Sequence, residues 1–359
     1  MKLVSTTLPL LSVAVLSVFG GGCAASKNQE KLELVRQAAR EYYDLGDLTR
    51  AADRARAALE IEPDDALTLS ILGMTRTRQA RSTNAGVADL KLLAQALDCF
   101  ERAEDHGGGS LFSVVAGHGF ARAERGHALL THAEACEQKI AISGAAGDAN
   151  KEAKDAVAKL RNDAAQAREI AERDLKIAED RLVKAHEMVP TRVEVMERLQ
   201  ALCSLRGRAA DSISWGERAL EVLDRGRTER AKMLERAGRD PRSEDEARKA
   251  IRGFEIQEAG VRSLMALMLY REKKVKEAAA HLDRVLEIDP ERIDDYYNRG
   301  ICRQALGMYA LATRDYETFV KRSTLSADSK EMRDVWDRIA ACREKSGAPA
   351  TDLTQKSGK

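Results

Sequence analysis

Apolar and small residues recur at steps of three and four from Gln29 to Gly347, a period that predicts amphipathic helices throughout. Within that period one spacing returns. Ala51, Ala55 and Ala58 lead to Pro63 by steps of four, three and five residues. The same steps take Ala178, Leu182 and Ala185 to Pro190, and Ala278, Leu282 and Val285 to Pro290. A proline so placed ends a helix, because it lacks an N–H and its ring clashes with the preceding turn. Gly73 and Gly300 each follow such a proline by ten residues, where a residue without a side chain lets two helices cross closely. Each unit is thus read as a helix, a turn and a second helix.

Taken in order, the first helix is expected over Gln29–Leu45, with Gly46-Asp47 as its turn. The third begins near Ala66. For its partner, the spacing from Gly73 would use Ala85 and then Asp89, placing an acid at a buried position. Ala96, Phe100 and Ala103 keep the steps with apolar residues and are preferred, which implies about 11 residues inserted around Arg81–Val87 relative to the repeat length. Gly107-Gly108-Gly109 then breaks the helix.

The third unit contains Gly117 and Gly119, either of which can be the crossing glycine. Its pattern continues to about Ile142, stops at Ser143–Gly147 and restarts from Asp148 to Met188. Val157, Leu160, Ala164, Ala167 and Ala171 form a stripe there, the seam of an antiparallel hairpin whose arms reach roughly 50–60 Å. The fourth unit has Leu199, Gly207, Ser212, Gly216 and Ala219, with Asp224 where a proline would stand, so its second helix runs on to Ala237. Gly238–Pro241 makes the turn, Ser243–Glu246 is a capping box, and the next helix reaches Glu272. One long hairpin extends a turn within a unit and the other a turn between units, which predicts opposite edges of the array.

These residues resemble the tetratricopeptide repeat, a helical pair of about 34 residues. Gly300, Gly307, Tyr309, Ala312, Tyr316 and Phe319 carry the pattern most fully. The resemblance implies an all-α, tetratricopeptide-type helical-hairpin solenoid of about six repeats with a C-terminal capping helix and two extended antiparallel hairpins. It divides the chain into repeats one and two (29–109), an atypical repeat with the long hairpin (110–190), and repeats four to six with the second hairpin (191–324). A cap carrying Trp336, Ile339 and Ala340 (325–347) and a disordered tail (348–359) complete it. It also implies that the first helices line a groove for protein or peptide partners, with Arg36, Arg40, Tyr43, Ser70, Met74, Tyr270, Tyr297 and Gln304 on its wall. Asn298 fits one place of the Lys and Asn set with which some members clamp a terminal carboxylate, but the rest of that set is missing, so no clamp is expected.

The N-terminus has another pattern. Lys2 precedes an apolar run of 12 residues, Leu8–Phe19, and Gly20-Gly21-Gly22-Cys23 follows. The run is shorter than the ~20 residues that span a bilayer and suits the core of a secretory signal. Small residues before a cysteine resemble the bacterial lipoprotein signal, with Gly20 where that family usually has Leu. The resemblance implies removal of residues 1–22, palmitate-type lipid on Cys23, a polar tether over 23–28 and a site in the cell envelope facing the periplasm or exterior. Ala24 after the cysteine favours an outer membrane where one exists.

Composition narrows the function. Charged residues make up 33% of the chain and aromatics 4%, and the formal net charge of +1 gives no overall field to attract nucleic acid. No glycine-rich phosphate loop, Gly-x-Ser-x-Gly elbow or His-Glu-x-x-His occurs, so the chain is expected to be a non-catalytic scaffold without a cofactor. His132 and Cys136, four apart on one helix, are the strongest metal pair; a closed site needs four ligands, and His118 and His127 do not share their face. Cys99, Cys136, Cys203, Cys302 and Cys342 read as buried small residues. The alternatives are an architectural spacer that self-associates through the Val157–Ala171 seam, and a metal protein built on His132 and Cys136.

Overall fold

The computed structural model describes residues 24–82, 88–144, 151–236 and 241–347. Cys23, the signal before it and the tail over 348–359 lie outside the described residues, as do the tips of both long hairpins. Among the described residues all regular structure is helical. The helices are α1 (Ala24–Asp44), α2 (Leu48–Ile61), α3 (Ala66–Arg81), α4 (Leu90–Asp105), α5 (Phe112–Gly144), α6 (Lys151–Met188) and α7 (Val193–Leu205). After them come α8 (Ala209–Arg236), α9 (Pro241–Arg271), α10 (Val275–Ile288), α11 (Ile293–Ala305), α12 (Tyr309–Arg322) and α13 (Lys330–Ser346).

Each helix packs on its chain neighbours, within a unit and then across to the next, so the core runs along a stack of helical pairs. The stops are where the prolines place them: α2, α6 and α10 end just before Pro63, Pro190 and Pro290. The starts of α2, α3, α4 and α13 are capped by Asp47, Asp65, Asp89 and Ser329, whose side chains accept from backbone N–H groups of the first turn. Asp89 is thus a cap at the surface end of α4, while Ala96, Phe100 and Ala103 are buried, which upholds the inserted register. The turns after α1, α7 and α11 need a left-handed residue, supplied by Gly46, Gly207 and Gly307; after α9 the same place is held by Lys273 at φ 64°. Gly347, at φ 67°, ends α13 in the same way.

Two expectations about boundaries change. The helix α1 begins at Ala24, so residues 24–28, expected as a tether, continue it; Ala-Ala-Ser-Lys-Asn contains no residue that breaks a helix. The helix α9 begins at Pro241, ahead of the expected capping serine, because proline is well suited to a first helical position where its missing N–H has no partner to lose.

The crossings explain the paired glycines of the third unit. Gly119 faces Leu182 of its own partner helix, as Gly73 faces Phe100 and Gly300 faces Tyr316; a Cβ at any of the three would stand 2.6–2.8 Å from the ring or side chain opposite. Gly117 faces backwards, against the other side of Phe100. In the fourth unit the sizes are exchanged. Gln200 stands where the other units have a small residue, Gly216 stands where four of them have Phe100, Leu182, Leu282 and Tyr316, and a Cβ on Gly216 would be 2.7 Å from Gln200 Nε2. Gln200 is buried and donates to the Val261 carbonyl at 3.1 Å, while Ser212 Oγ donates to the Gln200 carbonyl at 2.9 Å.

With 33 and 38 residues, α5 and α6 are about 50 and 57 Å long. Seam residues Ala164 and Ala167, with Leu160, pack on Leu129, Ala133 and Cys136 of α5. Nearer the stack, Gly126 accommodates Leu175. The α8–α9 pair extends the turn between units and closes over Leu223, Val261 and Met265, with Gly226 against the Phe254 ring. Successive helices alternate in direction, so these two extensions leave the stack from opposite edges.

Candidate protein-binding groove

The first helices of successive units, α1, α3, α5, α7, α9 and α11, present one face in register. Counting from the small crossing residues Ala39, Gly73 and Gly119, the next residue on each helix is Arg40, Met74 and Phe120. Between them lies a pocket of about 210 Å³ lined by Tyr43 of α1, Met74, Thr77, Arg78 and Arg81 of α3, and Gly117 and Phe120 of α5. Its floor and walls are apolar and its rim is cationic. The Arg78 guanidinium lies 5.5 Å from the Tyr43 ring centroid and donates to the Tyr43 carbonyl at 3.2 Å. Arg81 donates to Glu124 Oε1 at 2.6 Å; Arg198 of α7 bonds the same oxygen and stands 5.9 Å from the Phe120 ring centroid. Burial pushes the Glu124 carboxyl up, but Arg198 and Arg81 outweigh it and hold it below the usual glutamate range.

Of the residues expected in the groove, Tyr43 and Met74 meet in this pocket. Arg36 does not face it as a free cation: its Nη1 donates to both Asp65 oxygens at 3.1 Å, tying α1 to the cap of α3, and it also pairs with Glu33. Arg40 is exposed and pairs with Asp44 at 3.3 Å. Ser70 is buried between α3 and α5, with Ser113 Oγ 3.2 Å away and its own hydroxyl donating to the Leu67 carbonyl. The charges of Arg36 and Arg40 are therefore met by acids of their own neighbourhood, and the open guanidinium beside the pocket is Arg78, one turn beyond Met74.

At the far end the expected residues are drawn together by the cap. Tyr297 Oη donates to Asp334 at 3.0 Å, and Gln304 Oε1 accepts from Tyr316 Oη at 2.7 Å and from Arg338 at 3.4 Å. Arg338 also lies 5.9 Å from the Tyr297 ring centroid. Tyr270 packs half-buried on the cluster of Leu269, Leu282 and Cys302. Asn298 is half-buried on α11. Between the two ends, on α7, burial and then the neighbouring Glu194 push the Glu197 carboxyl up to about 7, with Arg198 opposing.

A second cleft lies between α4, α5 and α6, lined by Glu101, Glu104, His118, Arg122, Asp180 and Arg181 among others. Most of its ions are paired: Arg122 and Arg125 donate to Asp174, Arg122 also to Glu101, Arg181 donates to Glu104 at 2.8 Å, and His118 Nδ1 is 3.0 Å from Glu104. The cluster holds three helices together. His132 Nε2 is 3.7 Å from Cys136 Sγ, and among the described residues no group of three or more His, Cys, Asp or Glu side chains is placed to hold a metal. The cysteines Cys99, Cys136, Cys203, Cys302 and Cys342 are buried free thiols, and burial pushes those of Cys99, Cys203 and Cys302 up to about 11. Among the described residues no helix is long and apolar enough to cross a membrane.

Residues 265–340 match the tetratricopeptide repeat family. The solved structure of PilF from Pseudomonas aeruginosa superposes with a TM-score of 0.53 at 14% identity, covering 87% of this chain and 99% of that one. The fold is a tetratricopeptide-type solenoid. A thermophilic repeat protein of Thermus thermophilus follows with a TM-score of 0.42 at 15% identity, covering 76% of this chain and 98% of its own. YrrB, a repeat protein with an unusual peptide-binding site, gives 0.45 at 14%, covering 80% and 100%. At such identities the likeness is one of fold. No curated protein sequence matches the chain significantly.

Proposed function

We propose that this chain is a non-catalytic scaffold that gathers protein or peptide partners along its first-helix face, held at the cell envelope by lipid on Cys23. The observation that carries the scaffold is the pocket of Tyr43, Met74, Arg78 and Phe120, assembled from three successive first helices and open on the face where such solenoids receive peptides. The anchor rests on the run Leu8–Phe19 and the small residues before Cys23. A lipid at Cys23 would enter α1 directly through Ala24, so the array would stand close to the membrane surface instead of on a loose leash.

A second reading, the self-associating spacer, draws on the length of the α5–α6 arm. Its expected seam, however, packs on α5 through Ala164 and Ala167, which speaks for the hairpin's own core as the use of those two residues. Cross-linking the full chain in its native envelope and identifying what co-purifies, beside a Cys23→Ala form, tests the first reading. Recovery of the chain alone in both forms would sink the scaffold.

A further inference from the structure

The charge around the pocket at the α1–α5 end points to a class of partner. At the α1–α5 end three guanidiniums, Arg78, Arg81 and Arg198, surround one carboxylate, Glu124, which takes both Arg81 and Arg198. Arg78 has an aromatic face and a backbone carbonyl but no acid, and its side chain is exposed. Towards the other end both signs occur: Glu194, Asp294 and Asp337 are exposed, and so is Arg271, while Arg338 lies over the Tyr297 ring.

We propose that the pocket between α1, α3 and α5 takes an acidic segment of a partner protein, seating one apolar side chain among Tyr43, Met74 and Phe120 with its flanking Asp or Glu on Arg78 and Arg81. This rests on the scaffold reading and adds to it the chemistry of the partner. The volume, about 210 Å³, suits a single side chain and not an acyl chain. Tyr43 and Phe120 supply flat apolar walls, and Arg78, stacked on Tyr43, is held at the rim where a planar guanidinium can meet a carboxylate with two hydrogen bonds. A basic segment is refused at this end by the surplus guanidiniums.

The test uses the full chain and three capped, fluorescein-labelled peptides identical except around one Phe: flanked by Asp and Glu, by Lys, or by Ser. Anisotropy titrations should show the acidic peptide binding, the Ser peptide several-fold weaker and the Lys peptide weakest, with the acidic affinity falling as salt is raised. Arg78→Glu should weaken the acidic peptide by roughly fivefold or more and narrow the gap to the Lys peptide. Arg78 is exposed and its contacts here are to the Tyr43 ring and carbonyl, so the variant's melting curve is taken beside the parent's to separate lost binding from lost folding. Equal affinity for the three peptides, no binding of the acidic one, or no effect of Arg78→Glu would overturn the proposal. So would preferential binding of phosphatidylglycerol vesicles through Arg78. If the acidic peptide fails while a photo-cross-linker at Tyr270 still captures a partner, this inference falls and the scaffold stands; failure at both places removes the scaffold too.

Discussion

Phe100 is the pin between the second and third units, and removing its ring should cost more than any other single core truncation in the N-terminal half. The ring is fully buried. Gly73 of α3 lies against one side, where an added Cβ would be 2.7 Å away, and Gly117 of α5 against the other, at 2.5 Å. The His118 ring stacks near it, centroids 6.2 Å apart. A Phe→Ala change in a core costs about 3–5 kcal/mol, the larger values where the walls cannot collapse. Here the walls are helix backbones bare of side chains, held apart by Leu97, Ala96 and Ala121 around the ring, so a value in the upper half of that range is expected. Gly117→Ala, which presses a methyl on the ring, should cost about 1–3 kcal/mol, and the pair Gly117→Ala with Phe100→Leu less than the sum of the two. Urea unfolding followed by circular dichroism gives the magnitude. Hydrogen exchange gives the place: in a stack where each unit touches only its neighbours, α1–α4 should lose protection well before α10–α13 in Phe100→Ala. A cost below about 1 kcal/mol, or a loss of protection spread evenly over the array, would refute this account of the crossing.

Other consequences follow from single sites. Lys273 occupies the left-handed turn position that glycine holds after α1, α7 and α11, so Lys273→Gly should stabilise by about 0.5–1 kcal/mol, while Gly307→Lys should do the reverse, both read from thermal melts. Asp174→Ala should destabilise by about 3–5 kcal/mol, because it leaves Arg122 and Arg125 poorly solvated without their shared carboxylate. Glu197 has its folded carboxyl raised to about 7 from an unfolded value near 4.5, so its contribution is fully present below about 4.5 and is lost as pH rises through 7. Glu197→Gln should accordingly be more stable than the parent at pH 8 and closer to it at pH 5. The five buried thiols should stay unreactive to a maleimide in the native protein and all become labelled in guanidinium.

The parts of the fold legible in the sequence were those where a residue type has one structural meaning. Proline after the four, three, five steps placed the ends of α2, α6 and α10, and the unacceptable burial of Asp89 placed the insertion before α4. Glycine was less informative. Gly117 and Gly119 could not be told apart because both serve crossings, one to the unit before and one within its own unit. The exchange of Gln200 and Gly216 was hidden because its logic lies in the sum of two facing volumes, not in either residue. The same ambiguity hid half of the pocket: once Gly119 is taken as the crossing residue, Phe120 falls at the place of Arg40 and Met74 and would have been included. Arg36 and Ser70 were expected in the groove from their position alone; their hydrogen bonds to Asp65 and Ser113 are made by side chains from other helices, which spacing along one helix does not reveal.

The central claim, that partners are held on the first-helix face at an envelope membrane, is tested most directly by a photo-cross-linking amino acid placed in living cells. Positions Met74 and Tyr270 lie on that face, and Ile142 lies exposed near the tip of α5. The account predicts that the same partner is captured from Met74 or Tyr270 but not from Ile142, and that capture is lost in Cys23→Ala. Capture from Ile142 alone, or unchanged capture by a soluble Cys23→Ala form, would contradict it.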